Sequence, residues 1–340
     1  METKIFKQAN IEAAANCLKA GEVVAFPTET VYGLGADATN ALAIAKVYQA
    51  KGRPSDNPLI VHITDKSQLS DYVASWSEKA EKLMAAFWPG PLTLIFNIKK
   101  GSLPSNATGG LGTVGFRVPN NQLALDLIAK AGVPLVGPSA NTSGRPSPTT
   151  AAHVFHDLAG KIAGILDDGP TEVGLESTVL DLTSEIPVIL RPGLITQEQL
   201  MAVVGDIKLD QHLVDENEAP KAPGMKYQHY APVTKVMMID CHQSKWGAAL
   251  KWANEEGLQV GLLANQQLIN QYQGEFQVAY PLSQDNNVLV ASKNLFSGLR
   301  ALDELDPQLD LILAETYPDQ GEGRAYMNRL KKAANQEYFN

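Results

Sequence analysis

The chain has 340 residues, 44% of them hydrophobic and 19% charged, with a formal net charge of -9. That length allows two domains with cores of their own, and the composition excludes a disordered or low-complexity chain. The acidic balance excludes broad, non-specific nucleic-acid binding, so any anion site must be local. Cys17 and Cys241 have no metal or redox spacing, which points to a reducing compartment. Met1-Glu2-Thr3-Lys4 lacks the apolar core of a signal peptide. No run of about 18 apolar residues occurs, so no membrane partner is expected and the protein reads as cytoplasmic.

Residues 11–20 read as a helix between Asn10 and Gly21, and 23–26 as an apolar strand stopped by Pro27. Next comes Thr28-Glu29-Thr30-Val31-Tyr32-Gly33-Leu34-Gly35-Ala36-Asp37. Its glycines permit close backbone approach to a ligand, and its threonines supply hydroxyls. A helix over about 39–50 delivers Lys51-Gly52-Arg53-Pro54-Ser55-Asp56-Asn57-Pro58-Leu59. Gly52 can end that helix in a left-handed conformation. Lys51 and Arg53, two apart on non-helical chain, can both be aimed at one anion; by themselves they also suit a solvated loop. Residues 59–63 form a strand bearing His62, which taken alone suits a satisfied, half-buried residue.

A long helix is expected over about 67–87, then a strand over 92–96. Residues 113–118 alternate as a strand, which puts Thr113 and Arg117 on one face. A helix over about 122–130 and a short strand at 134–136 lead into a loop, 137–149, dense in hydroxyls and amides. Such a loop can wrap a phosphate, and equally can be a surface turn. Beyond it lie a strand at 162–166, the stretch Gly174-Leu175-Glu176-Ser177-Thr178, and an apolar strand ending at Arg191, a third cation at a strand terminus. A short helix over about 196–203 closes a first domain, 1–205.

Residues 206–232 lose periodicity and carry Pro220, Pro223 and Pro232, as a linker does. Its Lys226, Tyr227, His229 and Tyr230 suggest that it packs on something. From 233 to 340, strands at 235–239, 259–264, 276–280 and 309–314 alternate with helices at 245–255, 288–302 and 326–334. That pattern implies a small parallel sheet with helices on both faces.

Several other chemistries find little support in the motifs. Gly33-Leu34-Gly35-Ala36-Asp37-Ala38 fits a dinucleotide fingerprint only formally. Polar residues separate it from the strand, and cations stand where an acidic ribose ligand is wanted. No phosphate-loop motif, zinc spacing or Gly-x-Ser-x-Gly elbow is present.

Taken together, Phe26-Pro27-Thr28-Glu29-Thr30-Val31-Tyr32-Gly33-Leu34, Lys51-Gly52-Arg53 with Asn57-Pro58-Leu59, Pro138-Ser139-Ala140-Asn141 and Glu176-Ser177-Thr178 resemble the YrdC-like domain of threonylcarbamoyl-adenylate synthases. Pro223-Gly224-Met225-Lys226-Tyr227-x-His229-Tyr230-x-Pro232 and Glu322-Gly323-Arg324-Ala325-Tyr326-Met327-Asn328-Arg329-Leu330 resemble the long, two-domain form. The resemblance implies an α/β fold: a twisted mixed sheet with flanking helices, then a smaller Rossmann-like parallel domain. It implies that L-threonine, bicarbonate and ATP give threonylcarbamoyl-AMP and pyrophosphate. That product would feed a downstream tRNA threonylcarbamoyl-transfer machinery, and tRNA contact with this chain is left open. ATP contacts would fall on Arg53, Asn57, Thr113, Ser139, Ser147 and Arg191, with Lys51 beside the phosphates. Tyr230, or its rival Tyr227, would cover the nucleotide. Threonine contacts would fall on Thr30, His62, Arg117, Gly137 and Ser177. Mg2+ would ride on ATP, with no protein metal ligand assigned. Gly137 and Ala222 depart from the family, where alanine and serine are common. The competing reading is a double-stranded RNA-binding module without catalysis.

Overall fold

Val24 and Phe26 bury themselves in one apolar cluster and Ala25 in another. This is the two-residue alternation of a strand covered on both faces. The computed structural model describes residues 2–55, 57–210, 230–243 and 245–339, which divide into two units.

The first unit begins with β1 (Lys4–Phe6), α1 (Ile11–Lys19), β2 (Val24–Phe26), β3 (Gly33–Asp37), α2 (Ala41–Lys51) and β4 (Ile60–His62). It continues through α3 (Leu69–Tyr72), α4 (Glu78–Phe87), β5 (Leu92–Asn97), α5 (Ser105–Thr108), β6 (Thr113–Arg117), α6 (Gln122–Ala131) and β7 (Leu135–Val136). It closes with α7 (Ala151–Leu158), β8 (Gly164–Leu166), β9 (Thr178–Asp181), β10 (Val188–Arg191), α8 (Gln197–Val204) and β11 (Lys208–Leu209). These strands form one mixed sheet, ordered β1-β8-β2-β3-β7-β4-β6-β5-β9-β10-β11.

The expected helix over 67–87 is two helices. Val73 is extended and bridges to Ile98, and the Ser77 hydroxyl accepts from Ala80 N (3.3 Å), starting α4 anew. A β-branched residue and a serine cap outweigh a continuous apolar pattern there. Helix α7, capped by Thr150, was not read from the sequence. Within 206–232, Lys208–Leu209 pairs in parallel with β10, so that segment does not begin as a spacer. The rest of it, 211–229 with Tyr227, lies outside the described residues.

The second unit contains β12 (Lys235–Ile239), α9 (Trp246–Glu255), β13 (Val260–Ala264), α10 (Gln266–Gln271), β14 (Val278–Pro281), α11 (Val288–Asp303), β15 (Leu311–Glu315) and α12 (Gly323–Ala333). Its strands are ordered β12-β15-β13-β14 and every pairing is parallel, as the alternation implied. Two short pieces of earlier chain, Gly144–Pro146 and Val173–Leu175, also belong to it. Arg300, 1% exposed, donates from Nε and Nη2 to Pro146 O (3.1 and 2.6 Å). Arg145 pairs with Asp303 at 3.0 Å.

Candidate active site

The central strands of the first sheet have two unlike faces. On one, Val61, Leu94, Phe96, Val114, Phe116 and Leu180 enter the main core. On the other, Ile60, Ile95 and Val179 form only a small apolar patch, and their neighbours two residues away are polar: His62, Thr93 and Ser177. Parallel pairing of β4 with β6 sets Ile60 beside Gly115 and His62 beside Arg117. Thr113, at the start of β6, is on the same face by alternation and is half-buried.

Arg191 reaches this face through an irregularity. Ile189 pairs with Leu180 and belongs to the main core, yet Arg191 pairs with Val179 because the register shifts between them. An extra residue in one strand turns the side chains after it to the opposite side. Without that bulge the guanidinium would point into the apolar core. It instead donates from Nε and Nη2 to Ser177 O (3.1 and 3.0 Å) and from Nη2 to Ser177 Oγ (3.2 Å). Thr93 Oγ1 and Ser177 Oγ are 2.8 Å apart.

Lys51 is positioned by α2. Asn40 Oδ1 accepts from Leu42 N and Ala43 N (3.0 and 3.2 Å), and Gly52 ends the helix at φ 63°, ψ 37°. Ala43, Val47 and Lys51 recur every fourth residue, so Lys51 continues the buried stripe. It is 3% exposed. Its ammonium donates to Ser139 O and, at 2.8 Å, to Asn141 O. Burial, and then the nearby charge of Arg53, push its pKa down to about 7 against the opposing pull of Asp157 and Glu176. Arg53 is also buried, lies over the Tyr48 ring, and donates from Nη2 to Asn57 O (3.2 Å). Asn57 is 0% exposed, and neither atom of its amide has a hydrogen-bond partner among the described residues.

The loop that holds Lys51 is fastened to β3 and the turn before it. Leu34 N donates to Pro138 O (2.6 Å), Ala140 N to Tyr32 O (2.9 Å), and Tyr32 N to Pro148 O (2.9 Å). Ser139, half-buried, bridges to Gly33. Further along, buried Ser147 donates to Glu176 Oε1 (2.5 Å). The loop is therefore not a free surface turn.

A second polar group surrounds Thr30, which is 1% exposed. Arg117 donates from Nη1 to Thr30 Oγ1 (2.8 Å) and from Nε to Gly90 O (3.2 Å), and pairs through Nη2 with Glu29. The proton on Thr30 can be placed. Thr28 Oγ1 donates to Val31 O (2.7 Å) and stands 2.8 Å from Thr30 Oγ1, so Thr30 donates to Thr28 and accepts from Arg117. His62, 3% exposed, meets the Phe26 ring edge-on, and its Nδ1 has no hydrogen-bond partner among the described residues. Burial, and then the charge of Arg117, push its pKa down to about 3, so the imidazole is neutral at physiological pH. A Cβ on Gly137 would stand 2.6 Å from that ring. The glycine gives His62 the space that an alanine methyl would take.

Eleven of the twelve first-unit residues expected at the site take part in one or other of these local groups, and Thr113 is placed by strand alternation. Tyr230 belongs to the second unit, at φ 68°, with its ring 5.1 Å from that of Phe296 and beneath Arg329. Glu29 and Glu176 were within the motifs but had no role assigned from the sequence. Their signal was present: an acidic residue between threonines just after an apolar strand, and one immediately before a serine and a strand. Among the described residues, one trio of metal-ligating side chains comes together, Asp240, Cys241 and His242 in the second unit.

A family model described as "Telomere recombination" matches residues 16–193, and one described as "Threonylcarbamoyl-AMP synthase, C-terminal domain" matches 195–335. The threonylcarbamoyl-AMP synthase of Bacillus subtilis is 49% identical over 324 residues, 95% of this chain and 92% of that one. The chain belongs to the threonylcarbamoyl-AMP synthase family. Another member, from Pyrococcus abyssi, is 42% identical over 95% of this chain and 94% of its own. The crystal structure of P. abyssi Sua5 complexed with L-threonine superposes with a TM-score of 0.91, covering 100% of this chain and 99% of that chain at 40% identity. Both units thus have their counterpart in a two-domain synthase.

Proposed function

We propose that this chain makes threonylcarbamoyl-AMP from L-threonine, bicarbonate and ATP by nucleotidyl transfer, releasing pyrophosphate, as the first step of threonylcarbamoyladenosine formation in tRNA. The observation that carries this reading is Lys51. It is a buried ammonium held by two carbonyls, beside a second buried cation. Burial weakens the charged form of that amine, and an anion brought beside it would restore it. Arg191 extends the cationic side through Ser177, the residue after Glu176.

In this reading Lys51, Arg53 and Arg191 take the triphosphate, and Asn57, Thr113, Ser139 and Ser147 take the rest of the nucleotide. Thr30, His62, Arg117, Gly137 and Ser177 enclose the amino acid. A carboxylate oxygen of N-carboxy-threonine bonds to the α-phosphorus as the bond to pyrophosphate breaks. Two anions must meet, so fixed cations and orientation account for most of the acceleration. No side chain has to act as a nucleophile. The Ser147 hydroxyl and Glu176 carboxylate are hard oxygen donors of the kind Mg2+ accepts. Mg2+ arriving on ATP would neutralise phosphate charge. Tyr230 is read as the residue that closes over the nucleotide, and the product passes to the tRNA-modifying machinery of the cytoplasm.

The RNA-binding alternative is not favoured. Lys51, Arg53 and Arg191 are 3%, 9% and 6% exposed, whereas a backbone reader presents its cations to solvent. Replacing Arg53 by alanine removes a phosphate fork and should lower ATP-dependent product formation by at least about a hundredfold. Near-normal turnover of that variant would contradict the reading.

A further inference from the structure

Six carboxylates are buried among the described residues: Glu29, Asp157, Glu176, Asp181, Asp303 and Glu315. Five accept hydrogen bonds within the chain. Asp157 accepts from Thr142 N (3.2 Å), Glu176 from Ser147 Oγ (2.5 Å), Asp181 from Thr183 N (2.9 Å), Asp303 from Thr234 N (2.7 Å) and Glu315 from Asn265 N (2.6 Å). Glu29 is the exception. It is 4% exposed, and neither oxygen accepts a hydrogen bond from a described residue. Its partner is the charge of Arg117, met through Oε2. A carboxylate removed from water ordinarily fills most of its four or so acceptor positions. Oε1 of Glu29 is buried with no hydrogen-bond partner among the described residues.

Arg117 donates to Gly90 O and Thr30 Oγ1, and its Nη2 meets Glu29 as an ion pair. The result is a buried positive and a buried negative group side by side, next to a threonine hydroxyl and a neutral imidazole. A free amino acid carries the same two charges, reversed, on a single carbon. A guanidinium suits its carboxylate, and a carboxylate oxygen free of protein donors suits its ammonium.

We infer that Glu29 receives the α-ammonium group of the amino-acid substrate through Oε1, so that the Glu29–Arg117 pair reads both charges of the zwitterion. This rests on the synthase reading above. It makes Glu29 a specificity residue: a hydroxy acid of the same shape, lacking the amine, is discriminated against at this position. The bland alternative is that Glu29 only holds Arg117 in place.

The test compares L-threonine with (R)-3-hydroxybutyrate, which has the same carboxylate and hydroxyl but hydrogen in place of the amine. Affinities are measured by calorimetry, with the hydroxy acid as competitor and ATP as control, on the full chain and on Glu29→Gln and Glu29→Asp. The wild type should prefer L-threonine by about tenfold or more, the usual weight of a charge-assisted contact. Glu29→Gln should shrink that preference to within about threefold, with ATP affinity changed by no more than about twofold. Glu29→Asp, which keeps the charge on Arg117 but withdraws it by one methylene, should fall between. It also decides the matter if the glutamine variant fails to fold. Equal weakening of both acids, with the preference intact, would overturn the inference and leave Glu29 as a prop for Arg117. So would a wild type that binds L-threonine without preferring it. A wild type that does not bind L-threonine at all would bring down the synthase reading itself, and this inference with it.

Discussion

At Lys51 the chain places an ammonium group on the buried stripe of a helix, where an apolar residue would otherwise pack. Burial and the Arg53 charge hold it near half-protonation at neutral pH, down from 10.5 to about 7. Between those values the folded chain binds fewer protons than the unfolded one. The contribution of this group to stability therefore improves as pH rises through that window, and is a full penalty below it. A triphosphate reverses the balance, because its negative charge favours the protonated amine. At about pH 8, where the free amine is mostly neutral, ATP binding should draw in close to one proton. Calorimetry in buffers of different ionisation heat reads this directly. Lys51→Met should abolish the uptake, and an equal uptake in that variant would remove Lys51 from the phosphate site.

At the level of elements, local chemistry was the part legible in the sequence. Gly52 was expected to end α2 in a left-handed turn, and does so at φ 63°. Alternation placed Thr113 and Arg117 on one face, and the observed pairing of β6 with β4 sets Arg117 beside His62. The remainder depends on long-range partners. Val73 leaves its helix because Ile98 offers it a bridge. Arg191 turns to the site because β10 slips against β9, and no residue in Val188–Arg191 announces that slip. The pairing of Glu29 with Arg117, 88 positions away, exists only in the fold. Gly52 itself gives an element-scale prediction. A Cβ there meets nothing within 4 Å, so Gly52→Ala should cost about 1 kcal/mol by backbone strain alone. Denaturant unfolding measures the loss. Because the turn aims both Lys51 and Arg53, the variant should also bind ATP less tightly, whereas unchanged stability and affinity together would mean that the left-handed turn is not required.

Across the whole molecule, the first unit does not end where periodicity fades. Strand β11 lengthens the sheet beside β10, and Asp210 N still donates to Ile189 O (2.9 Å). A truncation that tests the second unit should therefore keep residues through Asp210. It removes the partners of Gly144–Pro146 and Val173–Leu175, among them Arg300 on Pro146 O. Those pieces directly precede Ser147 and Glu176 in the chain. The shortened protein should fold, with threonine affinity kept within about threefold and turnover reduced by about tenfold or more. Full turnover would reduce the second unit to an appendage.

All three scales meet in one reaction, in which carbon from bicarbonate becomes the bridge between threonine and AMP. The full chain should be given L-threonine, ATP, Mg2+ and carbon-13 bicarbonate, and the products read by mass spectrometry as soon as they form. A threonylcarbamoyl-AMP carrying one heavy carbon, appearing together with pyrophosphate and only when threonine is present, is the predicted result. ATP turnover that is indifferent to threonine, or an adenylate without the label, would contradict it.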